Sequence, residues 1–242
     1  MSGRPGGRLS GVGVGPGDPE LVTVKAVRVL RAAERVFVPV GAGASGPGYA
    51  EQVVLAHTDA GRVTRLAFAL GDDPAARERS WEAAAAAVAA VVGAGGHAAF
   101  ATIGDPNLYS TFTYLARTVR ARVPTVGIET VPGITALQDL AARSGTVLAE
   151  GDQTLALLPF TAGPERLRAA LDEHDTVVVY KGGRLLPEVR RALETAGRAG
   201  RAVFGARLGL SGERLGLLPD GPAPYLSTIV VTRSPGAPEP RP

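Results

Sequence analysis

The sequence predicts two α/β domains, the first built on a mainly parallel sheet and the second on a mixed one. Three observations point there. A strand, a Gly/Pro turn and a helix recur three times before residue 145, the segments shorten after residue 151, and 242 residues exceed what one modest core requires. The expected domains span 9–122 and 123–233, with the junction near 120–124. The Gly-, Pro- and Arg-rich ends, 1–8 and 234–242, are expected to be disordered.

The first strand is expected over 9–14, turned by Gly15-Pro16-Gly17, with Asp18 as helix N-cap and Pro19 at the first helical position. Leu21, Val24, Val27 and Leu30 stand at helical spacing within 20–33, and 36–40 reads as a buried strand. A Gly-rich loop follows over 41–48, then a short helix over 50–57 and a strand over 63–70. Residues 80–92 hold an alanine run, and alanine has the highest helix propensity, so they form a helix. The opening pattern then returns twice. A strand over 97–103 meets Gly104-Asp105-Pro106 and a helix over 108–119, and a strand over 124–131 meets Pro132-Gly133 and a helix over 134–143. In an open parallel sheet such turns gather beyond the carboxyl ends of the strands, where ligands bind. The three loops are therefore candidates for one site.

Later segments alternate: strand 154–158, helix 164–172, strand 175–181, helix 185–196, then strands 201–207 and 225–232. The connection over 211–224 is long for a hairpin and too Gly/Pro-rich for a helical crossover, which predicts antiparallel pairing of the last two strands.

Composition narrows the chemistry. There are no cysteines, which excludes disulfides, thiolate metal sites and cysteine nucleophiles. The three histidines, His57, His97 and His174, stand far apart without ligand spacing, so no metal site is expected. A net charge of only +3, carried by scattered arginines, argues against nucleic acid as the main partner. No apolar run is long enough to cross a bilayer and no signal peptide opens the chain, so a cytoplasmic protein without a membrane partner is expected.

The loop in 11–25 resembles a nucleotide-binding loop but breaks the common rules. A dinucleotide fingerprint starting at Gly11 needs a glycine where Pro16 stands, and one starting at Gly13 needs it at Asp18. The strand over 36–40 ends in Pro39 and Val40 without the acidic residue that would hold a ribose, and the chain has no Gly-Lys pair of a Walker loop. A ligand with a positive centre and no phosphate, such as S-adenosylmethionine, suits it better. Asp105 can accept hydrogen bonds from ribose hydroxyls or an amino group, and Thr135 can add a polar contact; both residues also fit helix caps.

Three segments together, Gly-Val-Gly-Pro-Gly-Asp-Pro-Glu-Leu-Val-Thr at 13–23, Gly-Asp-Pro-Asn-Leu-Tyr-Ser-Thr at 104–111 and Val-Pro-Gly-Ile-Thr-Ala at 131–136, resemble the tetrapyrrole methylase family over about 9–233. Further segments at 37–40, 109–112, 148–152 and 181–187 are most similar to the branch that methylates precorrin-2 at C-20 in cobalamin biosynthesis. The resemblance implies two α/β domains with a ligand cleft between them, S-adenosyl-L-methionine as cofactor, a reduced tetrapyrrole as substrate and a homodimer. It implies cofactor contacts at Pro16, Ile103, Gly104, Asp105, Leu108, Tyr109, Thr135 and Ala136, with Lys181 and Gly209 in the second domain.

Uroporphyrinogen methylases carry an aspartate at the end of the second strand; here that place is Pro39, which counts against uroporphyrinogen as substrate. Asp18 and Glu150 are the candidates to accept a proton, each also explained as a cap or a surface ion-pair residue. Arg65, Arg77, Arg79 and Arg184 are candidates for substrate carboxylates. A sister methylase acting on cobalt-factor II or at another ring position, and a non-catalytic nucleotide-binding α/β protein, remain as alternatives.

Overall fold

A computed structural model describes residues 7–69, 73–224 and 226–233. The chain divides after Thr135 into two compact units.

The first unit runs β1 (Arg8–Gly13), α1 (Val24–Ala32), β2 (Arg35–Gly41), α2 (Tyr49–Leu55), β3 (Val63–Phe68), α3 (Pro74–Gly93), β4 (His97–Thr102), α4 (Phe112–Arg122) and β5 (Gly127–Val131). The five strands form one parallel sheet in the order β3-β2-β4-β1-β5. Alternate residues of each strand face opposite layers. Val36 and Val38 pack with α1 and α2, whereas Phe37 packs with α3 and α4. Ala99 and Ala101 take the first side, Ala98 and Phe100 the second. Burial on both faces explains why these strands read as continuous apolar runs.

The second unit opens with α5 (Ala136–Ser144), then β6 (Leu155–Pro159), α6 (Pro164–Glu173), β7 (Thr176–Tyr180), α7 (Leu186–Thr195), β8 (Ala202–Ala206), β9 (Arg214–Gly216) and β10 (Ser227–Thr232). Its sheet has the order β6-β7-β10-β8-β9, parallel between β6 and β7 and antiparallel elsewhere. Val177, Val179, Ile229 and Val231 pack under α6 and α7, while Val178 and Val230 join Leu137, Leu140 and Leu208 on the α5 side. The mixed sheet and the antiparallel β8–β10 pair agree with expectation, with the short β9 folded into their connection.

Four expectations are corrected. The junction falls after Thr135 rather than at 122/123, because β5 pairs with β1 over Arg8↔Gly127 to Val12↔Val131 and so completes the first sheet. The helix expected over 20–33 splits: Asp18 caps a 3₁₀ turn, Pro19–Leu21, by accepting from the Glu20 N–H at 2.8 Å. Val22 is extended, and Thr23 caps α1 by accepting from the Ala26 N–H at 3.1 Å. The helix expected from residue 80 starts at Pro74, capped by Asp73. Gly7 is buried and Arg8 opens β1, so these two belong to the fold; residues 1–6 and 234–242 lie outside the described residues.

Candidate functional site

The strand order fixes where a ligand can bind in the first unit. From β1 the chain crosses β4's place to β2 and β3, then returns to β4 and finally to β5 on the other side of β1. The direction reverses around β1, and the loops after β4, β1 and β5 emerge side by side at this switch point. They are the three loops singled out above.

Their backbones interlock. The Gly104 N–H donates to the Gly15 carbonyl at 2.7 Å, pairing the two loops as an isolated bridge. Gly133 closes the third side: a Cβ built on it would lie 2.1 Å from the Gly104 carbonyl oxygen, and one on Gly13 would lie 2.5 Å from the same atom. Only glycine permits so close an approach of three main chains. Asp105 is the clasp. Its Oδ1 accepts from the Asn107 N–H at 2.8 Å and its Oδ2 from the Gly133 N–H at 3.0 Å. Because α4 begins only at Phe112, Asp105 is not its cap, and residues 103–111 form an extended loop. Ser110 steadies the far end, donating to Thr102 Oγ1 at 3.2 Å and accepting the Phe112 N–H at 3.1 Å.

This arrangement bears on the ligand's chemistry. A phosphate cradle requires free backbone N–H groups. Here the N–H of Gly104 is spent on Gly15, those of Gly133 and Asn107 on Asp105, and that of Leu108 on the Asp105 carbonyl at 3.2 Å. Pro16 has none. What the loops offer instead is carbonyl oxygen and a half-buried carboxylate whose oxygens retain lone pairs. Such a surface favours a cationic ligand with hydroxyl and amino donors over a pyrophosphate, which fits a sulfonium nucleoside.

Ile103, Asp105, Leu108 and Thr135 are partly exposed, and Tyr109 is 41% exposed. Desolvation raises the Tyr109 phenol above its ordinary value, so it stays a neutral donor. Pro16 is buried and supports the loop more than it offers surface. In the second unit, Ala136 opens α5, Lys181 follows β7 with φ +59°, and the Gly209 N–H is taken by Glu213 Oε2 at 2.6 Å. The Tyr180 hydroxyl accepts from the Leu137 N–H at 3.0 Å in the first turn of α5. Tyr180 and Glu213 escaped the sequence reading, as did Gly133's role as closure; Asp105-Pro106-Asn107, an Asx-turn signature, could have flagged the clasp.

Other candidates fare differently. Asp18 is engaged in its cap, and Glu150 is exposed in a turn where its N–H meets Gln153 Oε1 at 2.9 Å. Arg65 places Nε 2.9 Å from both oxygens of the buried Glu51, which holds it to α2 and weakens it as a substrate ligand. Arg79 lies 3.8 Å from the exposed Asp73, Arg77 lies in the second turn of α3, and Arg184 is exposed on a 3₁₀ turn, Gly183–Leu185. Among the described residues no group of three His, Asp or Glu side chains could hold a metal ion, and no helix is long and apolar enough to cross a membrane.

Fold and loops thus have the form of the α/β class with an acceptor-rich switch point, suited to a nucleoside ligand that carries no phosphate. The family model of tetrapyrrole (corrin/porphyrin) methylases matches residues 8–218, and the chain belongs to that family. A precorrin-2 C(20)-methyltransferase of Sinorhizobium sp is 36% identical over 96% of this chain and 97% of its own length. A cobalt-precorrin-2 C(20)-methyltransferase of Salmonella typhimurium is 33% identical over 94% and 97%. Among solved structures, a cobalt precorrin-4 methyltransferase shares the fold with TM-score 0.68 at 20% identity, covering 93% of this chain and 94% of that one. The uroporphyrin-III-C-methyltransferase of Thermus thermophilus superposes with TM-score 0.63 at 25% identity, covering 94% and 92%. The family expected from the three loop segments is therefore the one found, and the expected enzyme class, an S-adenosylmethionine-dependent methyltransferase, agrees with it.

Proposed function

We propose that the chain methylates precorrin-2 at C-20 in cobalamin biosynthesis, with S-adenosyl-L-methionine as donor, acting as a cytoplasmic homodimer. The observation that carries the donor assignment is the spent set of backbone N–H groups at the switch point, which leaves an acceptor-rich surface around Asp105. The ring position rests on near end-to-end likeness to relatives named for C-20.

Bound S-adenosylmethionine would supply an electrophilic methyl group to a nucleophilic bridge carbon of the reduced tetrapyrrole, the sulfur–methyl bond breaking as the carbon–carbon bond forms and S-adenosylhomocysteine leaving. Ile103, Gly104, Asp105 and Leu108 would hold the ribose and amino acid portions, with Pro16, Thr135 and Ala136 as further contacts. The resemblance assigns adenosine contacts to Lys181 and Gly209, and Tyr109 would offer the ligand an apolar face and a polar tip. These residues act by positioning, and holding reactants in line accounts for about 7–11 kcal/mol of barrier reduction in well-oriented systems. An enamine-like carbon needs no strong base for the attack, and no residue is assigned to the later proton, since Asp18 is engaged in its cap and Glu150 is exposed in a turn.

The test is incubation with precorrin-2 or its cobalt analogue and methyl-labelled donor, locating the label on the ring by NMR. Label at C-20 is expected, and the better of the two substrates identifies the metal state. Label at another position makes the chain a sister methylase, while a folded protein that binds no S-adenosylhomocysteine in calorimetry removes the methylase reading.

A further inference from the structure

The loop after β8 is fastened to α5 by a chain of charges that the proposed chemistry does not use. Glu213 Oε2 accepts the Gly209 N–H at 2.6 Å and also pairs with Nη1 of Arg143. The same guanidinium reaches back one turn on α5, its Nε 3.2 Å from Oδ1 of Asp139, which is 5% exposed. Between these polar ties Leu208 is buried against Leu137 and Leu140 of α5. The loop is thus gripped by an apolar residue on one side of Gly209 and an ionic one on the other. Gly209 N–H and Arg143 hold the Glu213 carboxyl below its ordinary value, so the grip is ionised throughout the neutral range.

We propose that Arg143 and Glu213 are positioning residues that set the Gly209 loop for the methyl donor; this rests on the reading of Gly209 as a cofactor contact. Magnitudes separate this role from a purely structural one. The side chains of Arg143 and Glu213 are 31% and 33% exposed, so the Glu213 end of the tie is partly solvated and contributes modestly to global stability, whereas Arg143 also neutralises the buried Asp139. Their effect falls on the segment from Arg207 to Glu213, whose backbone is otherwise held by two short turns, Leu210 N–H to Arg207 carbonyl at 2.9 Å and Glu213 N–H to Leu210 carbonyl at 3.1 Å, and by the Arg207 N–H on the Leu226 carbonyl at 3.4 Å. The Gly209 peptide is oriented by a charge-assisted bond, stronger than a neutral one. Removing that bond frees the peptide to rotate while the surrounding core stays packed.

The experiment measures S-adenosylhomocysteine affinity by calorimetry in wild type, Glu213→Gln, Arg143→Met and Arg143→Lys, with KM for S-adenosylmethionine and kcat beside it. Glu213→Gln and Arg143→Met are expected to weaken binding about three- to ten-fold, raising KM for the donor while kcat and KM for the tetrapyrrole hold. Arg143→Lys, which keeps the charge, recovers most of the loss. The thermal midpoint of Glu213→Gln stays within about 4 °C of wild type, whereas Arg143→Met, which strips the buried Asp139 of its ion-pair partner, melts lower. Wild-type affinity in a folded Glu213→Gln overturns the proposal even if Arg143→Met fails to fold. Absence of binding by the wild type instead overturns the methylase reading on which it rests.

Discussion

Tyr109, Lys181 and Arg207 adopt the left-handed backbone, with φ of +51°, +59° and +53°. Each stands in a loop leaving the carboxyl end of a strand, after β4, β7 and β8. A bulky residue there costs about 1–2 kcal/mol, which a neutral loop would shed by recruiting glycine or asparagine. Retaining a tyrosine at 109 means that its ring is wanted. Comparing Tyr109→Gly with Tyr109→Ala isolates the backbone, since both lose the ring and only alanine keeps the strain. The glycine variant is expected to be more stable by about 1 kcal/mol in denaturant titration, and both to show a raised KM for the methyl donor. Equal stabilities would mean the backbone relaxes when the ring is removed. None of these angles is legible in the sequence, because Asn107-Leu108-Tyr109-Ser110 carries no glycine to announce the turn. Asp105 was legible as important but not in its role. Its partner Gly133 lies 28 residues away, beyond any local pattern.

Three strands of the first sheet are tied by side chains near their amino-terminal ends. Ser10 of β1, wholly buried, donates to Glu129 of β5 at 2.7 Å and meets His97 Nε2 of β4 at 2.8 Å. His97 Nδ1 lies 3.1 Å from Arg8 Nη2, a donor, so this nitrogen accepts and Nε2 carries the proton. Burial first, and Arg8 second, lower the imidazole below its ordinary value of 6.5, against smaller opposing effects of Glu129, the Ala32 backbone and Glu34. Since the folded state binds this proton less readily than the unfolded one, the neutral form's contribution is complete above 6.5 and is lost as pH falls below it. Wild type is therefore expected to lose stability as pH falls below 6.5 more steeply than His97→Gln, whose amide does not titrate. Parallel slopes in thermal melts would show that the imidazole accepts a second proton without penalty. Element by element, the long periodic and alanine-rich segments were legible. The start of α3 was not, because Arg77, Glu78 and Arg79 hide its first two turns behind charge. Thr23, a residue type that caps helices, marked the true start of α1, but the preceding Asp-Pro pair gave a stronger signal for what proved to be a 3₁₀ turn.

Each unit has its own sheet with helices on both faces, so protection should peak separately in each. Hydrogen exchange is expected to be slowest in β1 and β4 of the first sheet and in β10 of the second, whose residues are almost all buried, and fastest in β9. Exchange of β10 at the rate of β9 would contradict a core centred on that strand. The division of the molecule was the least legible feature. Residues 124–131 read as a strand, but whether it joins the sheet before or after it depends on pairing with β1, over a hundred residues upstream. A strand's own pattern carries no record of its partner. The second sheet's outer strands also bear on how copies of the chain coexist at high concentration. At one edge β9 is three residues long and exposed, with Arg214 holding its guanidinium 5.7 Å from the Phe204 ring centroid; at the other β6 ends in Pro159. A short charged edge and a proline-ended one are poor templates for an added strand, which protects this sheet from edge-to-edge aggregation.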